Sequence, residues 1–234
     1  MNFQTRIHTT ERLDDLSLSG KSLFNALTSL KFINRFFGNH RQLSNSVLKY
    51  CEAQSENKTF RIIDLGCGGG DSIYRISKKL HKKGIKASFI GIDGNPQSIM
   101  YASTKYTTSK NIKFITKNIL EDSFSIPDCD LLLSSHFMYH FKDDKLINFL
   151  KNIKEKNIKH FIFSELNRNK IAYHLFRLSS FILPISKIAK KDGLLAIRRA
   201  FTIKELETIL HKSNVKTFTI TKKIWFRSLT QIEL

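Results

Sequence analysis

The stretch IIDLGCGGGDSIYRI, residues 62–76, sets four glycines within the five positions 66–70 and brackets them with two acids, Asp64 and Asp71. Ordered glycine costs conformational entropy, so such a cluster implies a ligand that must lie against bare backbone. A turn of this kind between a strand and a helix sits outside the carboxyl ends of the strands, where open α/β sheets bind their ligands. A dinucleotide turn would read G-x-G-x-x-G, its third glycine allowing close helix–strand contact. Gly66 and Gly68 fit that pattern, but the third position is Asp71, an acid that would repel a pyrophosphate. The dinucleotide reading fails on that residue.

The elements that must position the turn follow from periodicity. FRIIDL before it reads as a strand, and DSIYRISKKLHKKG after it as a helix ending at Gly84. ASFIGID is a second strand, and PQSIMYASTKY opens a helix at Pro96, where proline is tolerated. IKFITKNI, CDLLLSS and KHFIFSEL are further strands, with DDKLINFLKNIKE a helix between the last two. Alternating strands and helices predict a parallel sheet covered on both faces. Residues 12–54 read as helices, with Leu23, Leu27, Leu30, Ile33 and Phe37 at helical spacing. Residues 168–192 read as an aromatic-rich helical insertion, and TIKELETILHKS as a helix with a Thr202–Glu205 capping box. VKTFTI and KIWFRSL, parted by Thr221 and Lys222, predict a closing hairpin. The reading is one domain over 1–234: a helical arm (1–57), a core (58–167), a helical cap (168–192) and the rest of the core (193–234).

Composition narrows the class. Three scattered cysteines suit a reducing cytoplasm and offer neither a disulfide framework nor zinc spacing. The polar N-terminal residues are no signal peptide, and no apolar run reaches the roughly 20 residues of a membrane span. Against 20 Asp+Glu stand 39 Lys+Arg, a net charge of +19. Dispersed lysine is either a solvated surface or the mark of an acidic partner: nucleic acid, an anionic membrane surface or an acidic carrier protein.

The spacing D-x-G-x-G-x-G over Asp64, Gly66, Gly68 and Gly70 resembles motif I of the class I S-adenosylmethionine-dependent methyltransferases. The resemblance implies a Rossmann-like α/β fold with a mostly parallel seven-stranded sheet and a C-terminal antiparallel hairpin. It implies S-adenosylmethionine as cofactor, whose ammonium and sulfonium would meet Asp64 and Asp71. Adenosine and methionine would lie along Gly66, Cys67 and Gly68. Asp93 in GID, followed by Gly94, is placed for the ribose hydroxyls. Asn118, with Ile119 beside it, stands where relatives carry an acid for the adenine amino group; Asp122 is a rival. Ser135 belongs to SSHFMYHF, the stretch matching the reaction centre. Arg41 or Arg35 would clamp the methionine carboxylate, or be solvated.

The flanking segments around LDDLSLSG and DGLLAIRRAFTIKEL resemble bacterial small-molecule methyltransferases associated with aromatic polyketides, which implies O-methylation of a phenol. A phenol, with a pKa of about 10, calls for a general base. His140 stands in a Tyr-His pair where relatives often show His-His, and is the first candidate. His136 and His174 follow. Metal-assisted transfer would need carboxylates just beyond the fourth strand; none occurs before Asp143, so no metal is expected. Tyr139, Tyr173, His174 and Phe176 are the expected substrate contacts. Arg198 and Arg199 would pair either a substrate carboxylate or an acid of the fold. The expected partner is a small aromatic substrate rather than a specific nucleic acid. The segment after the fourth strand lacks the prolines of base-N methyltransferases, and no cysteine is placed as a C5 nucleophile. Carbon methylation of a quinone precursor competes with the phenol reading, as does a scaffold that binds the cofactor without catalysis.

Overall fold

The computed structural model describes residues 2–54, 58–121, 123–156 and 158–234. A short 3₁₀ turn (Arg12–Asp14) precedes α1 (Gly20–Phe36) and α2 (Asn39–Ala53). The alternating core follows: β1 (Phe60–Leu65), α3 (Asp71–Lys82), β2 (Ala87–Asp93), α4 (Pro96–Lys105), β3 (Ile112–Thr116), β4 (Leu131–Ser135), α5 (Asp143–Lys154) and β5 (His160–Leu166). Then come α6 (Lys170–Ile182), α7 (Lys187–Arg199), α8 (Ile203–Lys212), β6 (Thr217–Lys223) and β7 (Arg227–Glu233). The strands form one seven-stranded sheet in the order β3-β2-β1-β4-β5-β7-β6, parallel except for the antiparallel β7. This is the Rossmann-like arrangement expected for a class I methyltransferase. The order reverses between β1 and β4, and a crevice opens at such a switch point.

The central strands bury both faces, so neighbouring side chains join opposite cores. On β4, Leu131 and Leu133 pack under α2 and α3 with Ile62, Leu43, Val47, Ile73 and Leu80. Leu132 packs on the other side with Ile63, Phe161, Leu146, Leu150 and Leu206, under α5 and α8. Helix starts are chemically marked. Asn95 caps α4 by accepting the Gln97 and Ser98 N–H groups, with Pro96 following, and Thr202 and Glu205 form the expected box on α8.

Two boundaries differ from the sequence reading. The hairpin turn lies at Ile224–Phe226, because β6 continues through Thr221 and Lys222 to pair with Leu229 and Ser228. Trp225 and Phe226 make the reversal at φ 62° and 54°, a left-handed conformation no glycine advertised. The cap is two helices rather than one insertion ending at 192. The chain breaks near Pro184, and α7 then runs unbroken across 192–193 to Arg199.

The turn after β1 explains its first glycine. Gly66 has φ +70°, and an added Cβ would stand 2.5 Å from the Phe137 ring. Gly84, at the end of α3, has φ +71° with nothing within 4 Å of an added Cβ. Gly84→Ala should therefore cost only the backbone strain, about 1 kcal/mol. Gly66→Ala adds overpacking and should cost roughly 2–4 kcal/mol. Denaturant unfolding of the two variants checks this; equal losses would show that Phe137 does not constrain the turn.

Candidate active site

The glycine turn is strapped to the end of β2. Gly66 and Cys67 donate their N–H groups to Ile92 O, each at 2.9 Å, and Gly68 N–H donates to Asp93 Oδ2 at 2.9 Å. Asp93 Oδ1 accepts from Asn95 N–H at 2.9 Å. A cavity of about 810 Å³ opens over this turn, toward the upper end of the range for small-molecule sites, ~300–1,000 Å³. Asp64, Gly66, Cys67, Gly68, Asp71, Asp93, Gly94, Asn118, Ile119 and Ser135 all line it. Arg41 does not: it is exposed on α2 and lines a separate, lysine-rich cleft with Arg35. Asp122 lies outside the described residues.

The two acids of the turn differ in their partners. Asp71 accepts from Tyr106 Oη at 2.5 Å and lies 3.5 Å from the ammonium groups of Lys31 and Lys105. Its charge is already answered within the protein, so it is not the free carboxylate that the sequence reading placed beside the cofactor. Asp64 is 1% exposed, and its Oδ1 has no hydrogen-bond partner among the described residues. Burial, with Asp93 nearby, pushes its carboxyl up to about 7. An unpartnered buried oxygen costs free energy until a donor reaches it.

Both histidines after β4 face the cavity, in different states. His136 sits at φ 55°, and its Nε2 accepts from Arg227 Nε–H at 3.3 Å. Burial, Arg227 and His40 hold it well below the usual histidine range, so it is neutral and its acceptor nitrogen is engaged. The turn bearing His140 is anchored by Glu165, which accepts the Phe137 and Met138 N–H groups at 3.0 and 2.9 Å.

His140 Nδ1 lies 2.9 Å from Asp14 Oδ1 and 3.2 Å from Arg199 Nη2. These two contacts demand opposite roles of one nitrogen. The shorter, to a carboxylate, assigns the proton to Nδ1, since charge-assisted hydrogen bonds are the stronger; Nε2 is then the basic nitrogen. Arg199 meanwhile donates to Asp14 Oδ2 at 2.7 Å and Glu11 Oε1 at 3.0 Å. Tyr139 donates to Glu11 Oε2 at 3.3 Å and stacks its ring on His140. Burial raises Glu11 to about 8. Burial disfavours an ionised Asp14 too, but His140 and Arg199 take it down to about 2. His140 first, with Arg199, thus keeps Asp14 ionised, while burial raises Glu11 despite the same guanidinium. The donor atoms of Glu11, Asp14 and His140 lie within 4.8 Å of one another, a spacing that could hold a metal ion. Both acids, however, are already bonded to Arg199, which an ion would have to displace.

Neither Glu11 nor Asp14 figured among the sequence candidates. Their signal was an acid cluster, ERLDD, in a chain where acids are scarce. Across the cavity, α6 presents Ala172, Leu175, Phe176 and Ser179, an i, i+3, i+4, i+7 face. Phe176 is where the sequence reading put it, and Tyr139 also lines the cavity. Tyr173 and His174 are rotated off that face. Tyr173 packs against Phe3 and Ile197, and His174 is exposed, so neither lines the cavity. Trp225 and Phe226, brought in by the hairpin turn, line it instead.

The family described as "Methyltransferase domain" matches residues 56–231. A search of the curated proteins found no match. Among solved structures, the plantazolicin methyltransferase BpumL in complex with a monoazolic desmethylPZN analog and S-adenosylhomocysteine is similar at 18% identity. That match has a TM-score of 0.65 and covers 88% of each chain. Magnesium protoporphyrin IX methyltransferase from Synechocystis PCC 6803 gives 13% identity, TM-score 0.57, and covers 86% of this chain and 87% of its own. The CurJ carbon methyltransferase gives 11% identity and TM-score 0.62, covering 83% of this chain and 53% of its own. The glycine turn, the sheet order and the match over most of the chain agree, and the protein belongs to the methyltransferase-domain family that uses S-adenosylmethionine.

Proposed function

We propose that this enzyme methylates a phenolic hydroxyl of a small aromatic substrate, without a metal, with His140 as general base. The single observation behind the reading is the Asp14–His140 pair, set in the cavity between the glycine turn and an apolar cap wall. S-adenosylmethionine supplies a methyl group already activated on a sulfonium. What the chain must add is alignment and removal of a proton from a phenol of pKa about 10. With Nδ1–H held by Asp14, the Nε2 of His140 is the atom that takes that proton. Phe176, Leu175 and Trp225 supply apolar walls of the kind a planar ring needs.

The residues present fit the cofactor. Asp64 Oδ1, buried and without a donor, suits a ligand ammonium. At Gly68 an added Cβ would meet only Leu27, at 3.7 Å, so bare backbone faces the cavity. Asp93 would hold the ribose hydroxyls, and Asn118 and Ile119 the adenine. Asp71 and Arg41 have no part in this assignment.

The raised carboxyl of Asp64 gives a pH test. A folded value of about 7, above the usual 3.8, means that stability is lost as pH rises from about 3.8 to about 7, and a cationic ligand recovers that cost. The ligand needs the carboxylate, so S-adenosylmethionine affinity should fall about tenfold per pH unit below 7. Asp64→Asn should weaken binding at pH 8 and flatten the dependence. Calorimetry giving a constant Kd from pH 5.5 to 7.5 in the unaltered protein would exclude Asp64 as the ammonium partner.

For the base, His140→Ala should lower kcat on an accepted phenol by at least 100-fold, within the usual ~10²–10⁴ contribution. Cofactor affinity should hardly move, and the loss should shrink for more acidic phenols. Near-normal turnover in that variant would reduce His140 to a pocket wall. A product methylated on carbon would instead favour a quinone precursor as substrate.

A further inference from the structure

Helix α6 turns one face into the cavity and leaves a second apolar face exposed. Ile171, Leu175, Leu178, Phe181 and Ile182 are 47–84% exposed and follow an i, i+4, i+7, i+10/11 stripe. Leu175 and Ile182 also line the cavity, as do Phe36 of α1 (58% exposed) and Trp225 (51% exposed), so these four form its mouth. Trp225 packs edge-on against Phe37, and Phe37 against Phe36, which joins the hairpin turn to the end of α1. Large exposed apolar patches of this kind mark interaction sites.

The segments that carry this face and its rim, residues 28–41, 167–191 and 214–228, contain no Asp or Glu. Arg35, Lys170, Arg177, Lys187, Lys191 and Lys222 are exposed within them. Such a face repels its own copy and attracts an anionic surface. A stripe of Ile, Leu and Phe with tryptophan at its edge and cations around it is the pattern of a helix lying in a lipid interface. No described helix is long and apolar enough to cross a membrane, so contact would be made from one side.

We propose that the outer face of α6, with the Phe36–Trp225 rim, docks on an anionic lipid bilayer and opens the cavity toward it. A substrate could then pass from lipid to the cavity along apolar surface without crossing water. The docking does not depend on which atom is methylated.

Trp225 is the single tryptophan of the chain and therefore a built-in reporter. The full chain should be titrated with vesicles of phosphatidylcholine alone and of phosphatidylcholine mixed with phosphatidylglycerol, without substrate. Expected are a blue-shifted Trp225 emission and co-sedimentation with the anionic vesicles only, weakened on raising salt from about 0.05 to about 0.5 M. Leu178→Glu with Phe181→Glu, both exposed and both off the cavity wall, should lower partitioning roughly tenfold or more. Their thermal unfolding and cofactor binding should stay unchanged, and Arg177→Glu should lower partitioning in the same sense. Absent vesicle binding, or undiminished binding by the double variant, would overturn the proposal. Without vesicle binding, a dimer that the double variant dissolves would assign the face to a second copy. Retention on an acidic carrier protein, again without vesicle binding, would assign it to that partner.

Discussion

One guanidinium ties the active site together. Arg199, at the end of α7, bonds Glu11 and Asp14 in the N-terminal arm and lies against His140 in the turn after β4. The arm, α7 and the turn after β4, which share no secondary structure, meet at this one guanidinium, whose Nη1 donates to both acids of the arm. Its side chain and that of Glu11 are 8% and 6% exposed, so removing either partner would strand a buried polar group. Asp192, about two turns earlier on α7, fastens the same arm by accepting the Arg12 and Leu13 N–H groups at 2.9 Å each. The arm is therefore a wall of the site and not an appendage to it.

This arrangement gathers acids in the interior of a basic chain. A chain of net charge +19 wears its lysines outside, while Glu11, Asp64, Asp71 and Asp192 are buried along one cavity and Glu165 is buried beside the turn that carries His140. Each has a distinct task set by its neighbours. Asp71 is satisfied by Tyr106 and two lysines, and Glu165 holds the turn of His140 by its backbone. Asp64 is left with an oxygen that no donor among the described residues reaches.

The features legible in the sequence were those whose cause is local. The β1–turn–α3 unit was legible because glycine spacing, strand pattern and helix period all fall within twenty residues or so. The seven strands and the Thr202–Glu205 box were readable for the same reason. The Glu11–Arg199 contact spans 188 positions; Arg199 was read as a partner for an acid, but nothing local said that the acid would come from the ERLDD cluster. The rotation of α6 was equally hidden: the sequence marks it as an apolar helix, but only packing against α7 decides that Phe176 faces inward and Tyr173 does not. Gly193 on α7 shows how tight that packing is, since an added Cβ would stand 2.5 Å from the Phe176 ring. The hairpin turn was misplaced because Trp225 and Phe226 adopt a left-handed backbone that normally announces itself with Gly or Asn.

The central claim is that Asp14 fixes the proton of His140 on Nδ1 and leaves Nε2 free as a base. Long-range ¹H–¹⁵N correlation spectra of histidine-labelled protein at neutral pH report that tautomer directly, with no substrate required. The expected result is a His140 signal of the Nδ1–H form, which loses that preference in Asp14→Asn. A His140 protonated on Nε2 in the unaltered protein, or one indifferent to the Asp14 change, would contradict the account.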